Sequence, residues 1–326
     1  MKALVYTEPG SVEFRDIPIP EPKAGEVLVR VASAGICGSD LHAFHGKDDR
    51  RPAPLILGHE VSGYCDLGAG EVPVVINPLV TCQNCAACIR GQDNLCGTRQ
   101  IISMHPRPGS FAEYVAMPVR NVIELPNSFD MHKAALCEPL ACGWHAARLA
   151  EKFSGLELSE QRIVVLGAGA VGLGSALSAR ALGCSNLTVV EMQAGRRANA
   201  ESQGLTAVHP NDLLIDEVDI VIDAVGINPT RNLASQKLRP GGLLVHIGLG
   251  NAEGGFDIRR ATLQEINFVG SYTYTMDHFR EVVDAMIAGR FGALDWFDVQ
   301  PMQAGQYWFE KLSSNEVAAA KILLEF

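Results

Sequence analysis

Between residues 162 and 172 the chain reads Arg-Ile-Val-Val-Leu-Gly-Ala-Gly-Ala-Val-Gly. An unbroken apolar run of strand length enters a turn carrying Gly167, Gly169 and Gly172. A strand buried on both sheet faces needs such a run, because it has no solvated face to alternate toward. Ala170 and Val171 open a small-residue stretch, residues 170–182, which predicts a helix ending before Gly183. Alone, a Gly-x-Gly-x-x-Gly pattern is weak. Between a strand and a helix it permits a tight turn, close approach of backbone to pyrophosphate, and close helix–strand packing. The helix N-terminus then faces the phosphates. Apolar runs at residues 187–190, 218–224, 243–247 and 268–272 supply further strands. Strands alternating with helices predict an α/β unit with a doubly wound parallel sheet.

Glu191 ends the second of these strands, nineteen residues after Gly172. A carboxylate there accepts hydrogen bonds from the ribose 2′- and 3′-hydroxyls and repels a 2′-phosphate, which favours NAD over NADP. Arg196 and Arg197 follow closely and pull toward NADP, unless they simply begin a solvated helix.

The rest of the chain has a different texture. Residues 3–6, 12–15 and 27–31 are β-rich runs separated by Pro/Gly turns, which predicts an antiparallel, barrel-like start. Residues 76–110 read as loop, and 111–117 as strand. Beyond residue 274 come a helix (277–288), irregular sequence, a helical stretch (306–312) and a final strand (322–326). That tail is too short for a domain, so it is expected to return to the first one. The expected division is 1–140, 141–272 and 273–326 within 326 residues.

Four of the nine cysteines, Cys82, Cys85, Cys88 and Cys96, fall within fifteen residues. At this spacing loop thiolates can close on one Zn²⁺ and complete a tetrahedron, leaving no open position, so the site is expected to be structural. An iron–sulfur cluster also accepts four thiolates. Three other pieces suggest a second, open metal site: Cys37 in Gly-Ile-Cys-Gly-Ser-Asp, His59 and Glu60 in Gly-His-Glu-Val-Ser-Gly, and Glu138 in Cys-Glu-Pro-Leu. One thiolate, one imidazole and a carboxylate suit catalytic zinc with a position left for water or substrate. Each piece alone is more often just buried side chains; their joint presence upstream of the glycine turn gives them weight. Asp40 is placed to orient His59 through its second ring nitrogen, if it is not a solvated turn residue.

The formal charge of −10 argues against a nucleic-acid partner, which needs a basic face. It leaves anionic small molecules open, because a single arginine can hold a carboxylate or phosphate. No apolar run approaches the ~18 residues that span a bilayer. The N-terminal residues lack a basic-then-apolar signal stretch, so a cytoplasmic protein with reduced thiols is expected.

Taken together, residues 35–40, 58–63, 82–96, 109–114 (Gly-Ser-Phe-Ala-Glu-Tyr), 137–141 and 167–172 resemble the zinc-dependent medium-chain dehydrogenases over nearly the whole chain. The resemblance implies a GroES-like catalytic domain built from both chain ends around a Rossmann domain, one catalytic and one structural zinc, and a homodimer or homotetramer. Glu138-Pro-Leu is similar to the polyol, sorbitol-like and threonine branch; classical alcohol dehydrogenases carry Cys there. In that branch Cys37 and His59 are expected to be firm ligands, and Glu60 and Glu138 alternating or water-bridged ones. Ser39 is expected to take the alcohol proton and His42 to relay it to water. The bland readings are a helix cap for Ser39 and a surface histidine for His42. Three departures stand out. Residues 64–77 are shorter than usual, and Thr273-Tyr274 and Ala43 replace the Arg-Tyr pair and the Tyr of sorbitol-type enzymes. The expected activity is oxidation of a secondary alcohol of a polyol, sugar or sugar acid by NAD. The rivals are a threonine-type amino-alcohol substrate and a non-catalytic dinucleotide-binding zinc protein.

Overall fold

The computed structural model describes residues 1–68, 70–314 and 317–326. A six-stranded parallel sheet has the spatial order Thr206–Val208, Asn186–Val190, Arg162–Leu166, Val218–Asp223, Leu238–His246 and Asn267–Gly270. The chain runs outward from Arg162–Leu166 in one direction, then crosses to its other side. This reversal opens a crevice at the carboxyl ends of the strands, where ligands of such sheets bind. Period-two alternation divides the sheet's side chains between two cores. Ile163, Val165, Ile220, Ile222 and Val245 enter one; Val164, Leu166, Val221 and Leu244 enter the other.

The helix Ala170–Ala181 leaves the glycine turn and packs on the helix Cys137–Ser154. The contact is backbone to backbone. A Cβ on Gly143 would lie 2.4 Å from the carbonyl carbon of Gly174, and one on Gly174 would lie 2.9 Å from the Pro139 carbonyl oxygen. Ser178 Oγ donates to Leu140 O across the same contact at 3.2 Å. The helix Met276–Ile287 covers the other side, burying Phe279, Val282, Val283 and Met286 in the core that holds Trp144.

The remaining strands form three sheets, the largest of them seven-stranded, largely antiparallel, with Glu26–Gly35 as its hub. It pairs with Tyr114–Pro118, with Glu60–Asp66, and with Lys321–Glu325 from the far end of the chain. Gly35 faces both Glu60 and Leu323 in register, so one sheet end gathers residues 36–37, 60 and 321. The first strands pair antiparallel, and the last strand, Lys321–Glu325, pairs with Glu26–Gly35. Three differences stand out. Leu238–His246 starts earlier than its apolar stretch, because Pro240, Gly241 and Gly242 are carried through a register shift. Asn267–Gly270 ends two residues sooner than expected. Phe297–Pro301, read as irregular, is a strand at the sheet's edge lying parallel to Lys321–Glu325; its Phe-Asp-Val-Gln alternation spans only four residues before a proline. Among the described residues no helix is long and apolar enough to cross a membrane.

Two histidines tie the packed helices together. His145 Nδ1 and His278 Nδ1 lie 2.8 Å apart, and His145 Nε2 is 3.4 Å from Asn94 of the cysteine loop. Burial, then the neighbouring His278 and Lys152, press His145 down to about 4 from an ordinary 6.5. An imidazole depressed in the folded state binds its proton more readily when unfolded. It therefore lends stability that is complete above about pH 6.5 and is lost as the pH falls toward about 4, on the order of 3 kcal/mol in all. Urea midpoints measured across that window should fall with acidity in the wild type and flatten in His145→Gln; parallel profiles would remove His145 as the cause.

Candidate functional site

Cys37 closes the turn after the hub strand and caps the short helix Gly38–Phe44, a position that the sequence reading had offered to Ser39. Asp40, fully buried in the first turn, organises the surroundings. Its Oδ2 accepts from the Cys37 amide at 3.0 Å, and its Oδ1 accepts from Gly58 N and Ser103 Oγ at 3.3 Å each. Oδ1 also lies 3.5 Å from His59 Nδ1, the orienting position expected for it. Burial alone would raise the Asp40 carboxyl, but His59, Arg51 and the donors around it hold it at about 2.

The side-chain donor atoms of Cys37, His59 and Glu60 all lie within 4.8 Å of one another. Glu60 is held from behind: Lys321 Nζ, itself buried, donates to Glu60 Oε1 at 2.7 Å and to Ile36 O at 2.9 Å. Glu60 Oε2 is buried with no hydrogen-bond partner. A Cβ on Gly35 would sit 2.1 Å from that oxygen, so the absence of a side chain there makes its room. A thiol, an imidazole and a carboxylate with a buried unpartnered oxygen fit a metal ion, with zinc the best match to the donor types. Glu138 stands outside this compact group. Its Oε1 accepts from Tyr274 Oη at 2.9 Å and lies 3.8 Å from Cys142 Sγ, one helical turn along. Burial pushes its carboxyl up, with His59 opposing and Glu60 reinforcing the shift.

The four cysteines of the loop also converge. Sγ–Sγ distances are 3.5 Å for Cys85–Cys88 and Cys82–Cys96, and 3.9 Å for Cys82–Cys88. The Asn84 and Cys85 amides draw Cys82 down to about 6, while burial and its sulfur neighbours push Cys88 up to about 12. Four thiols this close resist ionising together, and a divalent cation removes that conflict, so the set fits zinc.

At the glycine turn, Gly167 has φ +96°, which favours glycine. A Cβ on Gly172 would strike the Gly167 carbonyl oxygen at 2.1 Å, whereas one on Gly169 would meet nothing within 4 Å. The turn is thus packed behind and open in front, as a pyrophosphate cradle must be. Glu191 is nearly buried there and accepts from Ala168 N and Gln193 N, both at 2.8 Å. Arg197 donates to the carbonyls of Glu191 and Met192, while Arg196 Nε is buried without a partner.

One cavity joins these parts. Its walls include Cys37, Ser39, His59, Glu60 and Glu138, with Val171 from the glycine-headed helix. Leu79, Ile101, Met104, Ile247 and Leu249 give it apolar sides. His42 is exposed on its helix and is not among the wall residues. Several wall residues were not singled out from sequence: Arg50, Arg51, Cys142, Ser271 and Tyr272. Thr273 and Tyr274, noted before only as departures, also line it. Thr273 has φ +46°, uncommon for a β-branched residue, and a cost of ~1–3 kcal/mol of this kind concentrates at functional sites. Lys321, within Lys-Ile-Leu-Leu, carried the one readable signal among the missed residues: a charge opening an otherwise apolar strand.

Comparison with known proteins adds to the geometry. Residues 23–127 match the family described as alcohol dehydrogenase GroES-like domain, and residues 170–288 the family described as zinc-binding dehydrogenase. D-xylulose reductase A of Aspergillus oryzae is 33% identical over 305 residues, covering 86% of this chain and 84% of its own length. L-galactonate-5-dehydrogenase of Escherichia coli is 32% identical over 311 residues, covering 90% and 89%. Among solved structures, a zinc-binding dehydrogenase from Sinorhizobium meliloti bound to NADP gives a TM-score of 0.88 at 28% identity, covering 100% of this chain and 99% of that one.

The Lys321–Glu60 pair predicts a clear stability pattern. Removing one member of a buried pair strands the other, at a cost of ~3–5 kcal/mol. Lys321→Met should lose about that much, and adding Glu60→Gln should restore a large part of it, both read from urea midpoints. A double variant no better than Lys321→Met would show that the charges are not coupled.

Proposed function

This chain belongs to the zinc-dependent medium-chain dehydrogenases, and on that footing we propose that it oxidises a secondary alcohol of a polyol, sugar or sugar acid, with NAD as hydride acceptor. The observation that carries the reading is the shared cavity: the Cys37–His59–Glu60 donor group and Val171, from the first turn after the glycines, line the same walls. The similarity to a xylulose reductase and a galactonate dehydrogenase supports the substrate class. Bound zinc would supply Lewis acidity to the substrate hydroxyl, and bound nicotinamide would take the hydride.

The protein's residues prepare that chemistry. Cys37, His59 and Glu60 hold the metal, with Glu138 near enough to exchange with Glu60 or to act through water. Asp40 fixes the His59 ring, and Lys321 restrains the Glu60 carboxylate. Ser39 stands in the cavity wall, its carbonyl pinned by Arg51 Nη1 at 2.6 Å, and its hydroxyl takes the alcohol proton. His42, three residues on along the same helix and exposed, hands the proton to water. The apolar sides exclude bulk water from the reacting carbon. Gly167, Gly169, Ala170, Val171 and Gly172 cradle the pyrophosphate, Glu191 holds the ribose, and Arg196 lies beside it. The four cysteines hold a structural zinc.

The same reading puts the enzyme in the cytoplasm, where its nine cysteines, none of them in a disulfide, stay reduced, as a homodimer or homotetramer. The edge strand Asn267–Gly270, with Phe268 exposed, is a surface that a second copy would cover. Light scattering that reports a monomer would count against the assembly.

Cys37→Ala and His59→Ala should each lower bound zinc from two ions per chain to one and abolish alcohol-dependent NADH formation. Full turnover with one ion remaining would sink the mechanism. Glu191→Ala should narrow the NAD-over-NADP preference by roughly tenfold or more, the size of one charge contact of ~1.4 kcal/mol. An unchanged ratio of kcat/KM values would remove Glu191 from cofactor selection.

A further inference from the structure

One wall of the cavity carries an arginine, Arg50, that the dehydrogenase reading does not use. Arg50, Arg51 and Asp48 form a cluster of two cations and one anion. Arg50 donates from Nε and Nη2 to the two Asp48 oxygens at 2.8 and 3.0 Å. Arg51 Nη1 lies 3.3 Å from the same carboxylate. Arg51 is buried and also lines the cavity, donating from Nε to Ser103 O and from Nη1 to Ser39 O. Its job is to anchor the segment. Arg50 differs in exposure: its side chain is 59% exposed, and only its Nε and Nη2 are engaged by Asp48, which leaves Nη1 open at the cavity wall. Because Asp48 is shared, one positive charge of the cluster is left for something else.

Tyr272 lies close enough to Arg50 to act on it electrostatically, and its hydroxyl accepts from Arg99 Nε at 3.3 Å while the Arg99 guanidinium stacks on the ring. The phenol is thus flanked by two cations. On either side of Tyr272 in sequence, Ser271 Oγ and Thr273 Oγ1 are buried without hydrogen-bond partners, and both residues line the cavity. Orphaned hydroxyls at a cavity wall are costly unless a ligand satisfies them. The cavity therefore offers a metal-binding donor group, unpaired hydroxyls, and a guanidinium with an open edge.

We propose that the substrate is a sugar acid, with Arg50 holding its carboxylate while a secondary hydroxyl sits against the Cys37–His59–Glu60 group. This rests on the dehydrogenase reading and narrows it. The reaction balances as loss of hydride from the carbinol carbon to NAD⁺ and of the hydroxyl proton to solvent, giving a keto acid and NADH. A carboxylate suits the site because a planar guanidinium edge and one uncompensated charge match a planar monoanion. A neutral polyol leaves that charge unmatched, and an amino alcohol brings an ammonium toward it.

The test compares initial rates of the zinc-loaded enzyme with NAD on hexonates, the matching hexitols, the matching hexitol phosphates and simple secondary alcohols. The wild type should favour hexonates over hexitols in kcat/KM. Arg50→Gln should collapse that preference by ~10–100-fold, chiefly through KM, as expected for loss of a charge-assisted contact, and Arg50→Lys should restore part of it. Zinc content and melting temperature confirm that the variants are folded. A wild-type preference for hexitols or for hexitol phosphates, or an Arg50→Gln effect equal on hexonates and hexitols, would overturn the carboxylate site while leaving a dehydrogenase. No turnover of any alcohol in the panel would instead overturn the dehydrogenase reading itself.

Discussion

At Gly143 the helix Cys137–Ser154 lies so near Ala170–Ala181 that any side chain would collide with the backbone of residue 174. Helices usually keep 8–10 Å between axes because side chains separate them. Here the paired glycines remove that spacer. The first helix carries Glu138 and Cys142 in its first turns, and the second begins at the glycine turn. The distance between the expected metal site and the expected pyrophosphate site is therefore set by a contact between main chains, which cannot change rotamer. Ser178, bonded to Leu140 O, fixes the slide of one helix along the other. Pre-positioning of this kind is what hydride transfer asks for, since reacting atoms must meet within a few ångströms.

The hub strand supplies the other half of the geometry. Glu26–Gly35 delivers Cys37 at its end, pairs with the strand that starts at Glu60, and pairs on the other side with the strand that starts at Lys321. Burying Lys321 and Glu60 together is costly unless each is well bonded; the ammonium meets a carboxylate and a carbonyl, and one Glu60 oxygen meets the ammonium. The second Glu60 oxygen stays unpartnered beside Cys37 and His59. A restrained carboxylate with one committed and one free oxygen is a different device from a solvated glutamate, although the two read alike as letters.

That difference marks what could be read from sequence. The glycine turn, the parallel strands and the cysteine spacing are local patterns. Their physics lies within a few residues, so the α/β architecture and the four-thiol cluster follow from the string. Asp40 and His59 were also legible, because a histidine ligand needs an orienting acceptor. Lys321 was not, since its role depends on a strand pairing that spans 261 residues. Arg50 and Arg51 look alike in sequence; only the structure shows Arg51 buried and anchored by two carbonyls and Arg50 exposed at the cavity wall. Ser271 and Thr273 are ordinary hydroxyls until their burial without partners is seen. Phe297–Pro301 was hard to read because its alternation, Phe-Asp-Val-Gln, is only four residues long and ends at a proline.

The pairing across those 261 residues also sets an order in time. At ~5–20 residues per second, a ribosome that has made Glu60 needs roughly 10–50 s more to make Lys321. Through that interval the nascent first sheet lacks the ammonium that neutralises Glu60 in the finished fold. It can gather Cys37, His59 and Glu60, but it cannot bury the carboxylate without paying its full desolvation. The parallel-sheet unit has no such debt and can settle first. Its emergence midway through synthesis then offers a finished surface on which the catalytic half closes when the last strand arrives.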